Sequence, residues 1–287
     1  MTKMFKIDVE DLTFRYEVAE TPALRNVNLK VKEGEFILIT GPTDAGKSTF
    51  CKAISGIVPH IYPGEISGQV LVDGINTLET TPSDLSEKVG VVMEDPESQI
   101  TATHVFAEVA FGPENLALPQ EEILKLVDES LNLTALEGFE ERLVHTLSGG
   151  EKQKLVMASC FAMQPDIFVL DEPTEQLDAF GAELVFSVVK SLSKRLGKTV
   201  VIASHRLDYL VPLADRIVIM NQGEIVLDDP PRKVFSESFD LLKHLGINLP
   251  QVVTLYYELR RAGVSIQEVP LDFAEAYQMI SKELGIK

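Results

Sequence analysis

The first forty residues show the alternating apolar and polar positions of β-strands. FKIDVEDLTFRY, residues 5–16, alternates along its length, and NVNLKVKEGEFILIT, residues 26–40, predicts two strands meeting at Glu33–Gly34. Within it, EFILIT is a continuous apolar run typical of a strand buried on both faces. KSTFCKAISGI, residues 47–57, predicts a helix after a short glycine-containing stretch.

The pattern changes in the middle of the chain. Between about 93 and 160, polar helical stretches such as PQEEILKLVDESLNL replace the strand signals. Two short apolar runs follow, DIFVLDEP and KTVVIASH, and each is bounded by turn or helix signals. Alternation of such strands with helices predicts a mostly parallel α/β sheet.

The last third adds a hairpin and a helical tail. RIVIMNQGEIVLDDPP predicts two strands joined by a turn at residues 221–223. After Pro231 the pattern is helical, with an interruption at RRAGVSIQEVP, residues 260–270.

Composition narrows the possible partners. The 287 residues carry 26 basic and 44 acidic side chains, a formal net charge of -18. This balance argues against binding to nucleic acid or directly to anionic lipid, since both depend on Lys and Arg. The two cysteines, Cys51 and Cys160, are far apart and predict reduced thiols. With no apolar run of eighteen residues and no signal-peptide core at the start, we expect a cytosolic chain that only another protein could hold at a membrane.

The most informative stretch is GPTDAGKST, residues 41–49, which has the form G-x-x-x-x-G-K-[ST]. Backbone amides of such a loop cradle nucleotide phosphates, and its place between a buried strand and a helix is the required context. Asp44 is unusual because it brings a carboxylate into a loop that receives negative phosphates.

Two acids end the buried strand in IFVLDEP. Asp171 and Glu172 would lie at the carboxyl edge of the sheet, where open α/β folds bind ligands. Asp171 suits the Mg²⁺ coordination shell, and Glu172 suits a general base that polarises the attacking water. The alternative is a helix N-terminus that favours acids for electrostatic reasons alone.

A second anion site is predicted in LSGGEKQK, residues 147–154. Small residues at Ser148, Gly149 and Gly150 precede a helix whose N-terminus would attract phosphate. Two such sites in one chain, one of them without a lysine, suggest that phosphate is bound between two chains.

LSGGEKQK resembles the signature of ATP-binding-cassette (ABC) ATPases, and the other motifs of that family occur around it in order. The resemblance implies an α/β P-loop NTPase fold with a RecA-like mixed sheet, an antiparallel β subdomain and a helical signature subdomain. We expect the ATPase domain to span 1–235, with its helical subdomain at about 93–160, and a small C-terminal helical extension to span 236–287.

The resemblance also implies a set of site residues for ATP and Mg²⁺. Tyr16 would stack on adenine, Lys47 would bind the β- and γ-phosphates, and His205 would sense the γ-phosphate. Lys47, Glu172 and His205 form the implied catalytic set, and Ser48, Glu94 and Asp171 the implied metal ligands. The implied nucleotide-binding positions are Tyr16, Gly41, Pro42, Thr43, Asp44, Ala45, Gly46, Lys47, Ser48, Thr49, Ser148, Gly149, Gly150 and Asp178. Ser148 and Gly150 would close on the nucleotide of a second cassette in a head-to-tail dimer, and Asp178 would lie at that interface.

A narrower resemblance appears outside these motifs. VVMEDPESQI, VFAEVAFGPENLALP and the tail LLKHLGINLPQVVTLYYELRRAG are similar to ATPase subunits of energy-coupling factor transporters, which import cobalt, nickel or vitamins. This implies an ATP hydrolase at the cytoplasmic face of the membrane. Its partners would be a second cassette, identical or paralogous, a transmembrane coupling protein that docks near 93–120, and a membrane substrate-binding subunit.

Two acids depart from the family pattern. Glu94 stands where the family has a glutamine that helps to coordinate Mg²⁺, and Asp44 stands where it usually has glycine. Gln99 matches only the second glutamine of the pattern. We therefore hypothesise altered metal and γ-phosphate coordination, as in pumps with two unlike ATPase subunits.

Other functions are less consistent with the sequence. A GTPase would need an N-K-x-D motif, and no Asn-Lys pair occurs. Presence of Lys47, Glu172 and His205 argues against a non-hydrolysing regulatory subunit. The ATPase of another ABC importer, or a soluble ABC ATPase in cofactor or cluster assembly, stays open, and the sequence does not specify the transported substrate.

Overall fold

The computed structural model describes residues 5–284. Within that range the strands are β1 (Ile7–Tyr16), β2 (Leu24–Val31), β3 (Phe36–Thr40), β4 (Gly64–Val72), β5 (Ile75–Asn76), β6 (Val89–Val92), β7 (Ile167–Asp171), β8 (Thr199–Ala203), β9 (Arg216–Asn221) and β10 (Glu224–Asp229). The α-helices are α1 (Lys47–Ile54), α2 (Ile57–His60), α3 (Pro82–Ser86), α4 (Val105–Asn115), α5 (Gln120–Leu133), α6 (Gly149–Ala162), α7 (Ala179–Lys194), α8 (Leu207–Leu210), α9 (Pro231–Glu237), α10 (Phe239–His244), α11 (Gln251–Arg261) and α12 (Phe273–Leu284).

A six-stranded sheet in the order β10-β9-β3-β8-β7-β6 forms the centre of the fold. Its strands are parallel except β10, which pairs antiparallel with β9. Every residue of β3, β7 and β8 is buried, as expected for strands covered on both faces. The predicted mixed, mostly parallel sheet is confirmed.

The predicted hairpin near residue 222 is also confirmed. Gln222 and Gly223 both have positive φ, at 50° and 83°. Positive φ at both central residues gives a turn whose twist matches that of the flanking strands.

A separate antiparallel sheet has the order β2-β1-β4-β5. It lies beside the loop that connects β3 and α1. The two strands predicted around Glu33–Gly34 exist, but they belong to different sheets: β2 to this one and β3 to the central one. Apolar side chains of both sheets and of α1 share one core, including Val9, Ile39 and Phe50. The predicted helix 47–57 is shorter than expected, because Gly56 adopts φ 68° after α1 has ended.

The helices α4, α5 and α6 pack together in the middle of the chain. They have a small core of their own that includes Val109, Leu131 and Leu155. The opposite side of α6, through Met157 and Phe161, contributes to the core of the central sheet. This packing fixes the start of α6 relative to the sheet.

The C-terminal helices pack against the same central core. Leu242, Val253 and Tyr256 are buried in one cluster with residues of β3, β7 and β8. The predicted interruption is observed between the end of α11 and the start of α12. None of the helices in residues 5–284 combines the length and hydropathy needed to cross a bilayer.

Candidate nucleotide-binding site

A cleft of about 500 Å³ opens at the carboxyl ends of the central strands. Of the residues predicted from the sequence, it is lined by Tyr16, Thr43, Asp44, Ala45, Gly46, Lys47, Ser48, Thr49, Glu94, Glu172 and His205. A neighbouring cavity of about 510 Å³ shares Ser48 and Glu94 with it and adds Asp171. Residues far apart in sequence thus meet at the edge where α/β sheets bind ligands.

The loop between β3 and α1 requires glycine at two positions. Gly41 has φ 154°, and a Cβ there would lie 2.1 Å from the Met220 carbonyl oxygen. Gly46, the N-cap of α1, has φ 101°, and its Cβ would lie 2.7 Å from the Ala23 carbonyl oxygen. The loop is therefore held tightly against its neighbours, with the N-terminus of α1 at the cleft, a favourable arrangement for binding an anion.

Asp44 lies at the rim of this loop. Its φ of 61° is left-handed, a conformation that Asp tolerates better than most residues with a Cβ. The side chain is exposed and lines the cleft. The backbone therefore accommodates an acid here, while the carboxylate adds negative charge at the entrance.

Lys47 is the cation at the base of the cleft. It is 7% exposed, and its Nζ donates to the carbonyl oxygens of Gly41 (3.1 Å) and Pro42 (3.0 Å). Burial lowers the pKa of Lys47, and the charges of Glu172 and Asp171 partly oppose that shift. The lysine is thus held beside both acids and at the loop between β3 and α1.

Tyr16 lines the cleft at the end of β1. Its hydroxyl shares a 3.1 Å hydrogen bond with Oγ1 of Thr49. The ring packs edge-on against Phe14, with centroids 4.8 Å apart. An aromatic ring fixed in this way offers a flat surface for a base.

Asp171 ends β7 in a buried position. It is 1% exposed, and neither carboxylate oxygen has a hydrogen-bond partner within residues 5–284. Burial raises the pKa of this carboxyl, and the nearby Ser48 side chain and the charges of Lys52 and Lys47 partly oppose that shift. A buried, unpartnered carboxylate is costly in a folded protein, and a cation would satisfy it.

Glu172 follows directly and points into the cleft. Its backbone has φ 46°, and its amide donates to the Ala203 carbonyl oxygen at 2.9 Å, so β8 fixes the turn. Burial raises the pKa of the Glu172 carboxyl to about 7, against the lowering effect of hydrogen bonding from the His205 amide. A carboxylate with a pKa near neutrality is suited to general-base catalysis.

His205 lies beside Glu172. Its amide donates to Oε2 of Glu172 at 3.4 Å, and its Nε2 lies 3.5 Å from Oε1. The imidazole is half exposed, and both burial and the charge of Lys47 lower its pKa. A ring in this position can contact both the glutamate and a ligand in the cleft.

Glu94 extends from the loop after β6 and lines both cavities. Burial and the nearby charges of Glu175 and Asp171 raise the pKa of the Glu94 carboxyl. Gln99 supports this loop, since its Oε1 accepts from the Met93 amide at 2.7 Å and its Nε2 donates to the Val91 carbonyl at 3.1 Å. Of the two residues, only Glu94 lines the main cleft, whereas both line the neighbouring cavity.

The remaining predicted residues lie outside the cleft of the single chain. Ser148 caps α6 through a reciprocal pair with Glu151, in which the Glu151 amide donates to Ser148 Oγ at 3.3 Å and the Ser148 amide donates to Glu151 Oε2 at 2.7 Å. Gly149 and Gly150 face the segment 176–177, where a Cβ would lie 3.0 Å from Gln176 and 3.3 Å from Leu177. Asp178 caps α7 by accepting from the Gly181 amide at 2.8 Å. The predicted ligands therefore form two groups that one chain does not bring together.

Two charged residues that the sequence analysis did not single out belong to this region. Glu175 lines the main cleft, and Lys52 lines the neighbouring cavity. The charge of Lys52 lowers the pKa of Glu94 and of Asp171. Their closeness in sequence to Ser48 and Glu172 was the available signal. Lys52 lies outside the recognised motifs, whereas Glu175 is the first residue of EQLD, residues 175–178, in which the resemblance assigned a role only to Asp178.

Sequence comparison gives matches along nearly the whole chain. A family described as ABC transporter matches residues 24–175. A candidate ABC transporter ATP-binding protein of Pyrococcus abyssi is 42% identical over 97% of this chain and 99% of its own length. The energy-coupling factor transporter ATP-binding protein EcfA1 of Clostridium perfringens is 37% identical over 94% of this chain and 95% of its own.

Solved structures give the same result. The chain is similar to cbiO1 of Clostridium perfringens, part of the ABC transporter complex cbiONQ, with a TM-score of 0.70 and 31% identity over 88% of this chain and 99% of that one. It is also similar to a dimeric ATP-binding cassette bound to ADP and Pi, with a TM-score of 0.70 and 30% identity over 79% of this chain and 99% of that one.

Proposed function

Because the chain belongs to the ABC transporter ATP-binding family and is an ATP hydrolase, we propose that it powers import of a metal ion or vitamin through an energy-coupling factor transporter. One observation carries this narrower assignment: similarity to EcfA1 extends over 94% of the chain, well beyond the residues 24–175 that the family model matches. Likeness to cbiO1 over 88% of the chain supports it.

In this proposal the cleft holds ATP by its phosphates. Amides of the loop 41–46 and the N-terminus of α1 would bind the phosphate chain, with Lys47 on the β- and γ-phosphates. Glu172 would take a proton from the water that attacks the γ-phosphorus. The bond between the γ-phosphorus and the oxygen that bridges it to the β-phosphate would break, and ADP would leave. Lys47 and His205 lie where they could stabilise the charge on the transferred group.

The residues present fit a Mg²⁺ ion. The buried carboxylate of Asp171 has no partner within the described residues, and Ser48 and Glu94 line the same cavity. In the described part of the chain no cluster of three or more His, Cys, Asp or Glu side chains is arranged to hold a metal. Mg²⁺ commonly takes one or two carboxylates together with substrate phosphates and water, and it neutralises charge on those phosphates.

A second cassette would complete the site. Ser148, Gly149 and Gly150 lie at an N-terminus of α6 that is outside the chain's own cleft. We propose that they close on the nucleotide of a partner cassette in a head-to-tail dimer, with Asp178 at the interface. The acids at 44 and 94 favour a paralogous partner over an identical one.

A groove on the helical side is a candidate docking site for the transmembrane coupling protein. The groove, of about 590 Å³, includes Phe111, Leu116 and Met163, with Asp84 and Glu87 at its edge. Phe111 is 52% exposed. Glu108 also borders the groove, but its Oε2 accepts the Thr101 and Ala102 amides and so is already paired. An apolar helix with a basic residue would complement this surface, and docking there would place the chain at the cytoplasmic face of the membrane.

Co-purification from the native cell tests this assignment. We expect tagged protein to bring down a multi-helix membrane protein and a small membrane substrate-binding protein, and Phe111→Ala to reduce their recovery about tenfold, because exposed aromatics are frequent interface anchors. Leu124→Ala, which removes a similarly exposed apolar side chain (48%) from α5, serves as the matched control. Recovery of soluble partners only would contradict the transporter proposal and favour a soluble ABC ATPase.

Glu94→Gln tests the proposed metal ligand. We expect the Mg²⁺ concentration for half-maximal ATP hydrolysis by the assembled complex to rise about three- to tenfold, because an anionic oxygen ligand is replaced by a neutral one. Steady-state hydrolysis across a Mg²⁺ titration measures the change. Unchanged turnover and unchanged Mg²⁺ dependence would show that Glu94 has no special role.

A further inference from the structure

Glu175 is placed in the cleft by a well-anchored turn. Its neighbours Pro173, Thr174 and Leu177 are buried, whereas Glu175 itself is exposed. The Glu175 amide donates to the Glu172 carbonyl oxygen at 3.1 Å, and the Leu177 amide donates to the Thr174 carbonyl oxygen at 3.1 Å. The backbone therefore delivers this carboxylate to the cleft that Ser48 and Glu94 also line.

The cleft contains more negative than positive charge. Four acids line it, Asp44, Glu94, Glu172 and Glu175, and within the described residues Lys47 is the only lysine or arginine in its lining. In residues 5–284, no basic side-chain nitrogen lies within 4.0 Å of a carboxylate oxygen of Glu175. Its charge reaches the other groups of the site, since it adds to the rise that burial causes in the pKa of Glu94 and partly opposes the lowering of the pKa of His205 by burial and Lys47.

A separate observation shows that this region suits a cation. Both oxygens of Asp171 are buried and have no hydrogen-bond partner in the described part of the chain, and the residue faces the cavity that Ser48 and Glu94 share with the cleft. A ligand that carries its own positive charge would relieve both the buried Asp171 and the excess of acids. An unaccompanied anion would relieve neither.

We propose that Glu175 is a specificity-determining residue that makes this cleft select metal-complexed ATP over metal-free ATP. This inference rests on the proposed role of the cleft as the nucleotide site. Repulsion between a fixed carboxylate and a ligand scales with the ligand's net charge, which is about -4 for free ATP and about -2 for its Mg²⁺ complex. Glu175 therefore lowers the logarithm of the affinity for free ATP about twice as much as it lowers the logarithm of the affinity for the Mg²⁺ complex.

Calorimetric binding of the non-hydrolysable β,γ-imido analogue of ATP to the full chain tests the proposal. Affinity is measured once with EDTA and once with excess Mg²⁺. The dissociation constant in EDTA is then divided by the dissociation constant in Mg²⁺, and this ratio is compared between variants. We expect Glu175→Gln to lower that ratio about tenfold, mainly by tightening metal-free binding, and Glu175→Lys to lower it further. Glu183→Gln, which removes the charge of an exposed acid on α7, should leave the ratio unchanged.

The possible results separate the two levels of inference. A ratio within about twofold of wild type in both Glu175 variants would overturn the role of Glu175 while the nucleotide site stands. Wild-type protein that binds neither form would overturn the assignment of the cleft, and the Glu175 proposal with it. Because the readout is equilibrium binding, neither result depends on transport or hydrolysis.

Discussion

Replacing Glu172 by Gln is expected to reduce ATP hydrolysis by roughly 10²- to 10⁴-fold, the usual contribution of a positioned general base. The amide cannot accept the proton of the attacking water, yet it keeps the size of the side chain. Since Glu172 is only 8% exposed and is positioned through its own backbone amide, the variant should keep its fold. Phosphate release under saturating Mg²⁺ and ATP measures the effect in the assembled complex.

Binding should be preserved in the same variant, and this separates a catalytic role from a structural one. We expect the dissociation constant for ATP to change by less than about threefold, because in the proposed site the loop amides and Lys47 hold the phosphates. Glu137→Gln, at an exposed position in the helical segment, is the control. Hydrolysis within about tenfold of wild type would exclude Glu172 as the base.

The pH dependence of hydrolysis provides a second readout for Glu172. Burial raises the pKa of Glu172 to about 7, so the base is ionised above that pH and protonated below it. Activity should therefore rise about tenfold per pH unit below pH 7 and level off above it.

The free energy of unfolding should change in the opposite direction, because the contribution of Glu172 to stability falls as the pH rises. The raised pKa makes the folded state bind more protons than the unfolded one, so this contribution is complete below the unfolded value of 4.5 and is lost as pH rises through about 7.

Replacing Lys47 by Ala is expected to weaken ATP binding by roughly 100-fold, because charge-assisted contacts to two phosphates are lost in a cleft with few other cations. Lys190→Ala, which removes an exposed lysine from α7, is the matched control. Equilibrium binding at saturating Mg²⁺ measures the change. Affinity within about threefold of wild type would show that the lysine contacts something other than the nucleotide.

Lys47→Ala is also expected to lower the thermal unfolding temperature. The Nζ of Lys47 donates to two carbonyl oxygens of its own loop, and its charge lowers the pKa of the buried Asp171 and Glu172 carboxyls, so the substitution leaves these groups uncompensated. Binding should therefore be measured well below the unfolding temperature of the variant, where the loss of affinity reports the lost contact.

The sequence predicted the structure best where neighbouring residues within one short segment determine its conformation. The strand–loop–helix around residues 41–49 was predicted as a unit, because the alternation of buried strand, glycine and helix is local. The turn at 222–223 was predicted for the same reason. The pairing of β2 and β3 with different sheets was not foreseen, since partner choice depends on residues as distant as Gly34 and Thr199, which share a hydrogen bond of 3.0 Å.

The candidate site was predictable at its motif positions and less so between them. Glu175 and Lys52 were not singled out because their place in the cavities depends on how distant segments pack: Lys52 lies outside the motifs, and within EQLD only Asp178 was assigned a role. Glu94 lines the cleft at the position that the sequence analysis assigned to it, while the amide of Gln99 is used within the loop in hydrogen bonds to Met93 and Val91.

The sequence alone predicted the mostly parallel α/β sheet and the order of the motifs along the chain, because hydrophobic periodicity and loop composition are properties of neighbouring residues; the family followed from the resemblance of those motifs. Tertiary structure decided which side chains share the cleft, that Asp171 is buried without a partner, and that the pKa of Glu172 rises to about 7. It also separated residues 148–150 from the cleft of their own chain. Burial and charge–charge distances arise only when segments far apart in sequence pack together, and these quantities govern the electrostatics of the site.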